Sequence, residues 1–323
     1  MKIGIVGGYG HEGLKRLPGA ELAWACDGYD QQAVTRGAAL GCKRIFPSME
    51  SLLTDFQPDL VYIGTVYARN GRLAVQALEQ GFDVVSEKPL AADWETLNRL
   101  SALTASGERR AIAEFAMRWS APFQKARELI LGGAIGKVAM IQAQKTYKFG
   151  TARPDFYKSR ELFGGIILWV AVHALDYAAW CTGLQYESVT AMHGNHAFPD
   201  YLEMEDHAAL LFQMTGGVPC VITADFLRPS GAARGDDRLR ITGSDGVVEV
   251  RNNDVFLTDS REEHHWVCPT EDSVGIQLAE DLAAAALGSS AAQITAAECL
   301  HITAAALAAR EAADTGCRQL IQG

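Results

Sequence analysis

A chain of 323 residues, 48% hydrophobic and 21% charged, has the balance of a globular protein and the length for two cores. Its formal net charge of -10 excludes the broad basic face with which nucleic-acid binders displace counterions from phosphates. The 7 cysteines form no Cys-x-x-Cys pair, and several, such as Cys26 and Cys220, stand in apolar runs, as in a reduced cytoplasmic protein.

The chain opens on MKIGIVGG, a glycine-broken strand rather than a secretory leader. No stretch approaches the roughly 20 uninterrupted apolar residues of a membrane span. Short apolar runs read as strands at Lys2–Val6, Leu22–Cys26, Leu60–Ile63, Asp83–Ser86 and Ala111–Phe115. Helical patterns lie between them at Gln31–Leu40, Met49–Thr54, Gly71–Gln80 and Asp93–Ser106. This alternation predicts βαβ units and a doubly wound parallel sheet, a Rossmann-type α/β domain over residues 1–117.

Gly8-x-Gly10-x-x-Gly13 directly follows the first strand, in the position of a dinucleotide fingerprint. Glycines there let backbone approach a pyrophosphate, whose charge rests on helix N-terminal N–H groups. Gly8, Tyr9, Gly10, His11 and Glu12 are therefore candidate cofactor contacts. Gly7 lengthens the turn by one residue, and Pro18 limits the first helix. Asp27, closing the second strand, suits a ribose diol and favours NAD; Arg36 and Lys43 keep NADP as the alternative.

Beyond Phe115 the pattern changes. Pro122–Gly132 reads as an amphipathic helix, Val138–Phe149 as a long strand and Ile166–Thr182 as a helix after Gly164-Gly165. Alternating strands separated by glycine-rich turns fill Ser188–Asp259, followed by alanine-rich helices at Ile276–Leu287 and Ala296–Ala313. Residues 118–323 are accordingly a C-terminal α+β domain with a large, mainly antiparallel sheet. Glu205-Asp206-His207 and His264-His265 have metal-ligating residue types, but neighbours on a strand point to opposite faces and cannot converge.

Glu87-Lys88-Pro89, at the end of a strand and after an N-terminal glycine loop, resembles the signature of the Gfo/Idh/MocA oxidoreductases. DLVYIGTVYARNGRLAVQALEQGFDVVSEKPLA, GGIILWVAVHALDYAAW and the closing EDLAAAALG…EAADTG stretch are similar to that family in order and spacing. The resemblance implies a Rossmann domain, an open-faced sheet domain, and a sugar, cyclitol or related polyol bound between them. It implies Thr65, Tyr67, Glu87 and Lys88 on the cofactor side, and a homodimer or homotetramer.

Lys88 has a physical reason to be catalytic: a cation at the C-terminal end of a parallel strand can stabilise a developing alkoxide. His173 matches the family's acid/base histidine, and imidazole exchanges protons near neutral pH. Asp176 also matches, but Trp169 stands where the family carries an aspartate four residues before the histidine. Trp169 is read as a platform for a sugar's C–H face, as core packing, or as the mark of an altered proton relay. Arg118, Tyr157, Lys158, Arg160, Trp169 and Asp176 are the candidate substrate contacts, with Lys145, Tyr147 and Lys148 on a strand beneath. Asn70 and Tyr67 occupy a region where many relatives carry Asn and His. Hydride transfer between NAD and a carbinol carbon is the favoured activity. The alternatives are a glycosidase- or lyase-type enzyme retaining NAD for transient oxidation, and a non-catalytic nucleotide sensor.

Overall fold

The computed structural model describes residues 1–10, 13–14, 17–28, 37–150, 153–229, 236–269 and 274–321. In chain order its main elements begin with β1 (Lys2–Val6), β2 (Glu21–Ala25), β3 (Arg44–Phe46), α1 (Met49–Asp55) and β4 (Leu60–Ile63). Then come α2 (Asn70–Glu79), β5 (Val84–Ser86), α3 (Trp94–Thr104), β6 (Ala111–Ala113), α4 (Ala121–Leu131) and β7 (Val138–Thr146). After α5 (Val172–Thr182) follow β8 (Tyr186–Gly194), β9 (His207–Met214), β10 (Val218–Asp225), β11 (Arg238–Gly243) and β12 (Gly246–Arg251). The chain closes with β13 (Asp254–Asp259), β14 (Glu263–Val267), α6 (Val274–Ala286), α7 (Ala296–Thr315) and β15 (Gln319–Leu320).

Two compact units divide these elements: Met1–Glu114 with Asp272–Thr303, and Phe115–Glu271 with Ala304–Gly323. The first unit is therefore not contiguous. Residues 274–303, which the sequence pattern assigned to the second domain, belong with the first, because α6 packs on β5 and β6. Cys299 at the start of α7 reinforces this, its buried sulfur accepting the Ala113 N–H at 3.2 Å.

The first unit is built on a six-stranded sheet in the order β3-β2-β1-β4-β5-β6, with every pairing parallel. Strand order reverses beside β1, which places a crevice at the C-terminal ends of β1 and β4. The strands are buried along nearly their whole length, as the continuous apolar runs require. Ser48 and Asp93 start α1 and α3 by accepting the N–H of Ser51 and of Thr96. β3 lies outside the sequence-predicted strands; Arg44 and Ile45 are exposed and only Phe46 is buried, so it carries no apolar run.

The second unit carries nine strands in the order β14-β13-β12-β11-β7-β10-β9-β8-β15, antiparallel except for β7 with β10. One face of this sheet is covered by α4 and α5, whose Phe123 and Tyr177 rings meet at 4.4 Å. α5 is buried on all sides, and Tyr177 ties it to β7 by donating to Gln144 O at 2.6 Å. Arg160–Thr182 is long and apolar enough to cross a membrane, yet 89% of its most apolar window is buried inside the protein.

Two expectations need correction here. β7 ends at Thr146, and Lys148 makes only an isolated bridge to Leu227 rather than extending the strand to Phe149. The expected Ile166–Thr182 helix is not uniform: Ile167–Ala171 winds as a π-helix before α5 begins. The wider turn shifts the angular spacing of Trp169 and His173, four residues apart, away from that of a regular α-helix.

Candidate active site

In the first unit, Val6 leads into Gly7, whose φ of +87° is a left-handed conformation that glycine adopts without strain. A Cβ at Gly7 would lie 2.3 Å from Gly64 O, so the turn after β1 presses directly on the end of β4. Tyr9 N–H donates to the same Gly64 O at 2.8 Å, and Trp24 Nε1 donates to Gly7 O at 2.7 Å. At Gly10 a Cβ would meet Glu87 Cγ at 2.9 Å. The loop is thus a bare backbone cradle over the carboxyl ends of β1, β4 and β5, which is what a pyrophosphate needs. His11, Glu12 and Arg36 lie outside the described residues. Gly7→Ala is expected to weaken NAD binding at least about tenfold, through left-handed strain and the collision with Gly64. Titration calorimetry measures this, and an unchanged affinity would mean that the loop does not hold the cofactor.

The other expected cofactor residues gather around this loop. Asp27, beyond β2, is buried and accepts a hydrogen bond from Thr65 Oγ1, across the sheet at the end of β4. Thr65 N–H donates to Asn70 Oδ1 at 2.9 Å, and Asn70 Nδ2 donates to Glu87 O at 3.0 Å. Asn70 therefore ties the end of β4 to the Glu-Lys-Pro turn. The Tyr9 and Tyr67 rings meet edge-on at 5.8 Å.

Lys88 is 3% exposed and precedes a cis peptide bond to Pro89. Its N–H donates to Glu87 Oε2 at 3.0 Å. Burial pushes the Glu87 carboxyl up from its ordinary pKa, while the adjacent Lys88 charge and N–H oppose that rise.

Glu114, just past β6, was not singled out by the sequence. Its Oε2 is buried and meets no hydrogen-bond partner among the described residues, and burial pushes its pKa up to about 7. A folded pKa above the unfolded value keeps the proton on the folded chain, so the Glu114 contribution to stability is fully present below about pH 4.5 and is lost as pH rises through about 7. Between pH 4 and pH 8 the wild type should lose up to about 3 kcal/mol more stability than Glu114→Gln. Urea unfolding at both pH values checks this; parallel losses would contradict it.

In the second unit His173 stands on α5 and is 6% exposed. Its Nε2 lies 3.1 Å from Tyr147 Oη, just past β7. Trp169, 9% exposed, sits in the π-wound turn that leads into α5. Gly164 and Gly165, at φ +87° and +98°, turn the chain into this segment. Glu205 fixes the turn: its Oε2 accepts the Ile166 N–H at 3.2 Å, and its Oε1 pairs with Arg160 at 2.7 Å.

Several expected substrate contacts are engaged elsewhere. Arg118 and Asp176 form a charge pair 2.7 Å apart with the side chains 1% and 0% exposed, so they anchor α5 from within the core. Tyr157 is fully buried, stacked on Phe163 at 4.5 Å, and accepts from Arg153 at 3.2 Å. Lys158 points outward and pairs with Asp155 at 2.8 Å. Arg160 bridges Glu205 and Asp314, the latter 154 residues away. Arg118, Lys158 and Arg160, expected to meet the substrate, are thus held by carboxylates of the protein. Asp206 pairs with His207 at 2.6 Å, and His265 with Asp254 at 3.0 Å.

The strand order and glycine cradle define the first unit as a dinucleotide-binding Rossmann domain, joined to a second unit built on one large mixed sheet. Residues 1–115 match the NAD-binding Rossmann-fold domain of the oxidoreductase family, and residues 123–249 match the GFO/IDH/MocA C-terminal domain. An oxidoreductase structure from Thermotoga maritima is 32% identical with a TM-score of 0.91, covering 99% of this chain and 100% of that one. Myo-inositol 2-dehydrogenase of the same organism is 25% identical over 81% of this chain and 79% of its own length. The scyllo-inositol 2-dehydrogenase (NAD(+)) of Bacillus subtilis is 25% identical over 77% and 72%. The matched stretch spans only 38% of the Bacillus subtilis oxidoreductase YteT and 60% of the Xenopus tropicalis trans-1,2-dihydrobenzene-1,2-diol dehydrogenase. The chain belongs to the Gfo/Idh/MocA oxidoreductase family and carries its NAD-binding Rossmann domain.

Proposed function

We propose that the protein oxidises or reduces a carbinol carbon of a sugar, cyclitol or related polyol. The observation that carries this is the buried Lys88 at the carboxyl end of β5, beside the glycine cradle. Gly8, Tyr9, Gly10, Asp27, Thr65, Tyr67 and Glu87 would hold the cofactor, whose nicotinamide supplies or accepts the hydride. Asp27, buried at the end of β2, would meet the ribose diol and disfavour a 2′-phosphate.

Lys88 donates to the substrate oxygen and stabilises its negative charge as the C–H bond changes. A desolvated ammonium does this more strongly than one in water. His173 takes the hydroxyl proton in oxidation and returns it in reduction. Trp169 offers an apolar ring to the C–H face of the polyol. Arg118 and Asp176 hold α5, and thereby His173, in place. Inositol dehydrogenases among the relatives support a cyclitol or similar polyol. Met140, Leu211 and Met192, exposed on strands of the second unit, would be covered in a homodimer or homotetramer.

A second reading, bond cleavage with transient oxidation on retained NAD, is favoured by one observation: residue 169 is Trp, so no carboxylate there supports the histidine. The test is reduced-nicotinamide absorbance with NAD across sugars, cyclitols and uronic acids, with Lys88→Met as control. Signal with one polyol, lost in the control, supports the dehydrogenase. Tight NAD binding without signal from any polyol moves the assignment to the second reading.

A further inference from the structure

With Trp169 in the aspartate position, the imidazole of His173 needs another group to set its orientation and tautomer. The second unit supplies one. Tyr147 Oη is 3.1 Å from His173 Nε2, and the two rings meet edge-on, 6.2 Å apart at 90°. Tyr147 is itself held from several sides. Its N–H donates to Asp225 O at 2.8 Å, and its ring lies nearly parallel to Phe226 at 6.4 Å. Two residues earlier, Lys145 places its ammonium 4.9 Å from the Tyr147 ring centroid. That ammonium is nearly buried and pairs with Asp237 Oδ2 at 2.7 Å, close to Met117 Sδ at 3.7 Å. Asp237 Oδ1 is buried without a hydrogen-bond partner among the described residues, so the pair is desolvated rather than a surface contact.

We propose that Tyr147 is the positioning residue for His173, doing the work of the absent aspartate. Its oxygen accepts the Nε2–H, fixes that tautomer and assigns proton exchange to Nδ1. In oxidation the carbinol hydrogen leaves as hydride to NAD, and the hydroxyl proton passes to Nδ1. The resulting imidazolium keeps its Nε2–H bond to Tyr147, now charge-assisted and stronger. Lys145, held by Asp237, packs against the tyrosine ring and keeps it in place. This inference rests on the reading of His173 as the acid/base.

The test uses the full chain with NAD bound. In histidine-15N-labelled protein, ring nitrogen shifts should show neutral His173 protonated at Nε2 in the wild type. Tyr147→Phe should give the averaged tautomers of an unconstrained imidazole. With the polyol that gives the largest signal, myo-inositol being the first tried, Tyr147→Phe should lower kcat about 10- to 100-fold and leave KM within about threefold. In a His173→Ala background the same substitution should cost almost nothing further, because the two residues act as a unit. Identical His173 shifts in wild type and Tyr147→Phe, or protonation at Nδ1, overturn the inference. An impaired His173→Ala beside an intact Tyr147→Phe overturns this inference alone. A His173→Ala enzyme with wild-type turnover overturns it together with the acid/base reading.

Discussion

Lys88→Met is expected to lower turnover about a thousandfold while leaving the fold nearly unchanged. Methionine matches the length of the lysine stem and suits a position only 3% exposed, so packing survives and the charge alone is removed. What is lost is the cation proposed to stabilise an alkoxide in a desolvated setting. A second consequence lies next door. The Lys88 charge and N–H restrain the upward shift of the buried Glu87 carboxyl, so removing the charge should raise that pKa further. Steady-state kinetics reads the first effect and carboxyl infrared titration the second. A variant within tenfold of wild-type kcat would contradict the assigned role.

Arg118→Leu is expected to destabilise the second unit by about 3–5 kcal/mol. The guanidinium reaches Asp176 through Nε at 3.0 Å and Nη2 at 2.7 Å, and neither side chain meets solvent appreciably. Removing one partner leaves a buried carboxylate without its countercharge, which costs more than the pair contributes when intact. The double variant Arg118→Leu with Asp176→Leu should regain much of the loss. Because Asp176 lies one turn beyond His173, the single variant should also lower kcat by displacing α5. Denaturant unfolding of the three variants decides the matter, and a loss below about 1 kcal/mol would show the pair to be dispensable.

Much of this architecture is legible in local sequence. The five apolar runs separated by helical periods are enough for a parallel sheet, because a parallel pairing needs a crossover of that length. Gly8-x-Gly10 after KIGIV marks the loop, while the glycine pressed against the end of β4 is Gly7, where only bare backbone fits beside Gly64. Lys88 and His173 stand out through their motifs, and both are buried.

The features that escaped the sequence depend on distant residues. β3 has a single buried side chain, too few for any apolar pattern to reveal. α6 carries the same alanine-rich periodicity whichever sheet it covers, so its place with β5 and β6 is set by tertiary packing alone. In sequence Arg160 reads as a substrate cation because Asp314 and Glu205, its partners, lie 154 and 45 positions away in the chain. In sequence Tyr147 reads only as a strand residue, since its contact with His173 depends on how the end of β7 lies against α5. The π-wound turn at Ile167–Ala171 has no periodicity signal distinguishing it from an α-helix.

The fate of a carbon-bound deuterium tests hydride transfer to NAD most directly. The protein would be incubated with NAD and a fully C-deuterated polyol, myo-inositol first, and the released nicotinamide weighed by mass spectrometry. Reduced cofactor one deuterium heavier is expected from the wild type, and none from Lys88→Met. Cofactor recovered oxidised and unlabelled after exposure to every polyol of the panel would contradict it.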